Sequence, residues 1–221
     1  MKQTDKSRRS REQVLEAALQ LFSTQGYRAT SVREIAALAG SSTGNVYHHF
    51  PDKETIFRTL LDQYWAAIDS PDLPFNQALA RGSFPDNLED LGRASRESVS
   101  RYRRYVALIY VDVVEFESSH IRRFYSEMAK RFGSFMADHH VAEDHRLRQG
   151  VSKLSAVMLA GRFFLNYFAV EILFGVPNHF GKGTDEVIAE IADILRYGML
   201  RQDARVPGER RRPRSAGAQP A

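Results

Sequence analysis

The 221-residue chain has no cysteine, which excludes disulfides and thiolate metal sites. It has no apolar run approaching the roughly 20 residues that a helix needs to span a bilayer. Its first stretch, Met1 to Arg11, is polar and basic with no apolar h-region, so no signal peptide and a cytoplasmic location without a membrane partner are expected. Neither a Gly-rich phosphate loop behind a strand, nor a nucleophile elbow, nor a convincing pair of carboxylates occurs, and the expectation is a protein that is not an enzyme and carries no cofactor. What is present is 43% hydrophobic content, enough for one small domain and a larger helical one.

Charge is unevenly placed. Residues 1–60 hold nine Lys or Arg against six Asp or Glu, residues 201–221 hold six against two, and the middle is net acidic. A basic amino-terminal unit that meets phosphates fits this division. Lys2, Lys6, Arg8, Arg9 and Arg11 read as a mobile arm that either orders on DNA or only solubilises the chain. Val206 to Ala221, rich in Pro, Gly, Ala and Arg, reads as a disordered tail, with Arg210, Arg211 and Arg212 solvated.

Three short helices follow the arm. Val14, Ala18, Leu21 and Phe22 recur at helical spacing, and Gly26 ends the run. Ser31 and Glu34 form a Ser-x-x-Glu capping box ahead of Val32, Ile35, Ala36 and Ala39. Gly40 can turn the chain in the left-handed conformation, and Ser41 and Ser42 offer an N-cap for Thr43 to His49. Two short helices around a tight Gly turn are the helix-turn-helix arrangement. In the second of them Val46 is the sole aliphatic anchor, which leaves Ser42, Thr43, Asn45, Tyr47 and His48 as hydrogen-bonding groups suited to base edges and phosphates.

The wording from Thr30 to Ala36, Ala39 to Phe50, and Asp52, Lys53, Glu54 and Phe57 closely resembles the DNA-binding domain of the tetracycline-repressor (TetR) family. The resemblance covers about the first quarter of the chain and extends to order, spacing and residue type. It implies that Ser42, Thr43, Asn45, Tyr47 and His48 lie in or beside the major groove, with Thr30 and Lys53 on phosphates. The residues themselves agree for Lys53, since Asp52 can cap a helix whose free N–H groups would stand beside the ammonium. Thr43 stands where many relatives carry Lys, which removes one phosphate contact.

The rest reads as helical. A helix from Lys53 to about Ile68 meets an interruption at Pro71 and Pro74. Another region runs from Pro85 to about Glu117 with a break near Arg101 to Arg104, and a third from Ser119 to His139. Val151 to Phe174 and Thr184 to Leu200 are apolar on more than one face and so need a partner. Leu154, Val157, Gly161, Phe164, Phe168, Ile191 and Leu195 are the expected homodimer interface; the family dimerises through a four-helix bundle of its last two long helices. Between the two ends, Trp65, Tyr105, Phe116, Phe163 and Tyr167 are candidate lining for a lipophilic or aromatic effector. Asn166 could orient such a ligand or fix helix register. Asp112 shares a face with Ile109, Val113 and Phe116 and could meet a polar or cationic group, or pair internally with Arg162. Asp138, His139, His140, Glu143, Asp144 and His145 carry ligand-type atoms, but the segment reads as a solvated loop and no metal is expected.

The expectation is therefore all-α. Residues 1–10 are an arm, 11–52 a helix-turn-helix DNA-binding domain, 53–203 a helical ligand-binding and dimerisation domain, and 204–221 a tail. The function expected is a homodimeric transcriptional regulator on a palindromic double-stranded operator, a repressor released by a small-molecule effector. The alternative is a DNA-binding dimer controlled by a protein partner or acting architecturally.

Overall fold

The computed structural model describes residues 3–81, 83–138 and 146–199, and all ten of the regular elements in these residues are helices. They are α1 (Gln3–Gln25), α2 (Val32–Leu38), α3 (Thr43–His49), α4 (Lys53–Asp69), α5 (Pro74–Arg81), α6 (Leu88–Arg101), α7 (Arg103–Glu115), α8 (Ile121–Asp138), α9 (Lys153–Leu173) and α10 (Thr184–Met199). The acidic and histidine-rich run from His139 to His145 and the basic tail lie outside the described residues.

Local chemistry explains the first four helices. Gly26 ends α1 at φ 88°, its N–H donating to the Phe22 carbonyl. The capping box of α2 is closed in both directions: the Glu34 N–H donates to Ser31 Oγ at 3.2 Å, and the Ser31 N–H to Glu34 Oε2 at 2.7 Å. Gly40, at φ 60°, turns the chain toward α3. There the Asn45 N–H donates to Ser42 Oγ, and Asp52 caps α4 through the Thr55 N–H at 2.6 Å.

Two hydrophobic clusters organise the molecule. The first joins Val14, Ala18 and Phe22 of α1, Ile35 of α2, Val46 of α3 and Ile56, Phe57, Leu60, Leu61 and Trp65 of α4. It continues into Leu108 of α7 and Ile121 and Phe124 of α8. α4 therefore belongs to the core of the first three helices while leading into the larger helical unit. The second cluster is built by α5, α6, α9 and α10 around Phe75, Leu91, Phe164, Phe168 and Ile188. Gly92 permits this packing, because a Cβ at that position would stand 2.8 Å from Ile188 and 2.9 Å from Phe164.

Three differences from the sequence reading are local. From Gln3 onward the segment read as an arm is the start of α1, along which Arg8 pairs with Asp5 and Glu12. α5 fills part of the region read as a proline interruption: Pro74 takes the first helical position, where its missing N–H costs nothing. α9, by length and composition, is apolar enough to cross a membrane, yet half of it is packed inside the protein as a core helix.

Candidate nucleic-acid interface

Val46 is 1% exposed, and around it α3 turns its polar side chains outward. Thr43, Tyr47 and His48 are exposed, Tyr47 to 54%. Asn45 is held differently from its neighbours: its amide nitrogen donates to Ser10 Oγ and Ser41 Oγ, each at 2.7 Å. That clamp joins α3 to the basic beginning of α1, so exposed Lys6 and Arg9 lie on the helix that flanks the polar face. Arg11 covers the Phe50 ring at 4.9 Å. The surface is rich in donors and positive charge, the combination that phosphates and base edges meet.

Thr30 and Lys53 do not stand on that surface. Thr30 is buried and its hydroxyl donates to the Gly26 carbonyl at 2.7 Å. The Lys53 ammonium donates to the carbonyls of Tyr27 at 2.8 Å and Thr30 at 2.7 Å, and sits 4.1 Å from the centroid of the Tyr27 ring. Burial holds it below the ordinary lysine range, with Glu115 and Glu34 pulling the other way. The reason is geometric: the turn between α1 and α2 presents carbonyls to the start of α4, and a long cation satisfies them.

The candidate effector residues are dispersed. Trp65 stacks on Phe124 at 3.9 Å, and Tyr105 stacks on Tyr64 at 5.7 Å, both around α4. Phe116 lies against Tyr27 and Phe57 at the junction with the first helices. Tyr167 is buried in the second cluster beside His179, while Phe163 and Asn166 are exposed on another side of α9. Asp112 is buried, and its partners are His120 Nδ1 at 2.7 Å and the Ile121 N–H at 2.9 Å. Arg162, the partner expected for it, instead lies over the Tyr125 ring at 5.1 Å. Asp112 thus secures the start of α8.

The expected dimer residues are mostly interior. Val157, Gly161, Phe164, Phe168 and Ile191 are buried within one chain, and Leu154 and Leu195 are partly buried against the same core. A Cβ on Gly161 would meet Phe75 of α5 at 3.0 Å, so the small residue serves that intramolecular packing. The exposed large hydrophobic side chains of these helices are others: Leu159, Phe163 and Leu165 on α9 and Ile194 and Tyr197 on α10. The sequence showed that α9 was apolar all round without showing which side α6 would cover.

Nothing in the sequence pattern pointed to a carboxylate that binds the turn before α2. Glu115, at the end of α7, receives the N–H groups of Tyr27 and Arg28. A lone Glu at a helix end has no pattern that points to such a partner.

A three-helix unit with an outward polar third helix, joined by α4 to a larger helical unit, has the helix-turn-helix arrangement. Residues 14–60 match the family described as bacterial regulatory proteins, tetR family. The chain is 41% identical over 56 residues to the HTH-type transcriptional repressor AcnR of Corynebacterium glutamicum, covering 25% of this chain and 30% of that one. It is 34% identical over 125 residues to the HTH-type transcriptional repressor KstR2 of Mycobacterium tuberculosis, covering 53% and 57%. These two matches thus span from 30% to 57% of the relatives' lengths. The fold resembles the crystal structure of NalD, the secondary repressor of the MexAB-OprM multidrug efflux pump in Pseudomonas aeruginosa. That likeness has a TM-score of 0.59 at 21% identity over 89% of this chain and 99% of that one. It also resembles the ketosteroid transcriptional regulator KstR2 of Mycobacterium tuberculosis, with a TM-score of 0.54 at 22% identity over 87% and 95%. The family match is thus confined to residues 14–60, while the structural likeness extends over most of the chain. Both curated relatives carry the name of HTH-type transcriptional repressors.

Proposed function

We propose that the protein is a homodimeric repressor whose α3 enters the major groove of a palindromic operator and whose release is triggered by a lipophilic or aromatic effector. The observation that carries the DNA reading is the outward Thr43, Tyr47 and His48 surface on a helix anchored by Val46 alone. Phosphate contacts then fall to exposed cations around it, Lys6 and Arg9 on α1 and Arg33 and Arg58 on α2 and α4, in place of Lys53.

For the dimer, the reading moves from the buried α9 face to the exposed one. Leu159, Phe163 and Asn166 follow at helical spacing, and Ile194 of α10 is 65% exposed. For the effector, the aromatic group of Tyr64, Trp65, Tyr102, Tyr105 and Phe124 between α4, α7 and α8 supplies apolar surface with hydroxyls. Neighbours described as a ketosteroid transcriptional regulator and as a repressor of a multidrug efflux pump favour a lipophilic compound.

The experiment is selection of bound duplexes from a random pool, followed by sedimentation of the protein alone and with the selected duplex. The expected product is a palindrome whose half-sites lie about one helical turn apart, roughly 34–36 Å, bound by a dimer. Steroids, acyl compounds, aromatic compounds and lipophilic cations are then scored for release. An enriched pool without palindromy, bound by a monomer, would contradict the reading.

A further inference from the structure

The last residue of α7 reaches the turn that precedes the helix-turn-helix. Glu115 Oε1 accepts from the Tyr27 N–H at 3.0 Å and Oε2 from the Arg28 N–H at 2.6 Å, while the Arg28 guanidinium donates to the Glu115 carbonyl at 3.3 Å. Gly26 makes the approach possible: a Cβ there would stand 2.6 Å from Glu115 Oε1, and its φ of 88° belongs to glycine. Two successive amides aimed at one carboxylate make a charge-assisted, two-point grip. It fixes rotation as well as position. The opposite, carbonyl side of the same turn is gripped by Lys53 of α4.

The end of α7 is itself immobilised. Phe116 stacks on Phe57 at 4.8 Å and lies 4.6 Å from the Tyr27 ring, and Asp112 ties α7 to His120 and the first amide of α8. Phe116 on the Tyr27 ring and the Arg104–Glu16 ion pair also tie α7 to the first helices, but only Glu115 holds the backbone amides of the turn. We propose that Glu115 is a positioning residue that sets the orientation of the helix-turn-helix on the larger helical unit, and thereby the half-site spacing that a dimer reads. The second part rests on the dimeric DNA-binding reading above; the first does not.

The absence of cysteine permits a clean test. Spin labels are placed at Thr43→Cys on α3 and Ser100→Cys on α6, both exposed positions, and labelled chain is diluted with unlabelled chain so that only distances within one chain are read. A single narrow distance distribution is expected for the parent. It should broaden in Glu115→Ala and change partway in Glu115→Gln, which keeps the shape and loses the charge. Circular dichroism confirms folding; should the Ala variant not fold, the Gln variant decides. Operator duplexes with one base pair inserted or removed between half-sites supply the second readout. The parent should lose about tenfold more affinity on respacing than the variant, the factor expected from losing a charge-assisted contact. Loss of stability alone would leave both readouts unmoved. Identical distance distributions in all three proteins would overturn the proposal, whereas a parent that selects no operator would overturn the DNA reading and leave the distance result to stand.

Discussion

The Lys53 ammonium and the Tyr27 residue are joined twice, by a 2.8 Å hydrogen bond to the Tyr27 carbonyl and by the ring lying 4.1 Å away. Lys53 is thereby a structural cation. Lys53→Met should lower stability by about 1–3 kcal/mol, the range for hydrogen bonds to a charged group. The slope of log affinity against log salt should stay unchanged, because no phosphate contact is lost. Denaturant unfolding and a salt series on a selected duplex check both statements; a slope reduced by about one unit would return Lys53 to the phosphates.

Asp112 makes a comparable prediction with the opposite expectation from its sequence context. Asp112→Asn removes the charge that faces His120 and weakens the acceptor for the Ile121 N–H. A stability loss of about 1–3 kcal/mol is expected, with effector response retained in the folded variant. Melting curves and operator release measured on the same samples separate the two; release abolished at unchanged stability would restore a ligand role.

The two faces of α9 should respond differently. Phe163 is 58% exposed and Phe168 is buried. Phe163→Glu is expected to shift sedimentation from dimer to monomer while the helical content stays. Phe168→Ala should cost about 3–5 kcal/mol by opening a core cavity. A dimer that survives Phe163→Glu would place the interface elsewhere.

Acid should weaken the helix-turn-helix unit through its caps. The hydroxyl and N–H of Ser31 hold Glu34 below its ordinary 4.5, and the N–H and side chain of Thr55 hold Asp52 below its ordinary 3.8. Both acids are depressed in the fold, so their contribution is complete above those ordinary values and is lost as pH falls through the lower folded ones. Glu34→Gln and Asp52→Asn should flatten the loss of stability below about pH 4.5. Thermal unfolding across pH 2.5 to 6 measures it; parallel curves for parent and variants would contradict the capping account.

Much of the first unit was legible because its determinants are local. Ser31, Glu34, Gly40, Ser42 and Asp52 act within three residues of themselves, and the caps and turns formed where their spacing placed them. Val46 likewise went inward and Tyr47 outward. What could not be read depended on contacts distant in sequence. Thr30, Lys53 and Asn45 are polar residues on the expected surface that bind other parts of their own unit, and Glu115 meets an amide pair 87 or more positions away. In α9 apolar residues lie on more than one face, so periodicity could not tell Phe164 and Phe168, which are buried in the second cluster, from Leu159 and Phe163, which are exposed.

The most direct measurement is operator affinity for Tyr47→Ala and Thr43→Ala beside the parent, with melting temperature recorded on the same preparations. Both side chains are exposed on α3 and neither contributes to the core. Affinity for the selected duplex should fall about tenfold or more per variant, the scale of one lost specific contact, while melting stays within about a degree or two of the parent. Unchanged affinity in both variants would contradict the assignment of α3 as the helix that reads DNA.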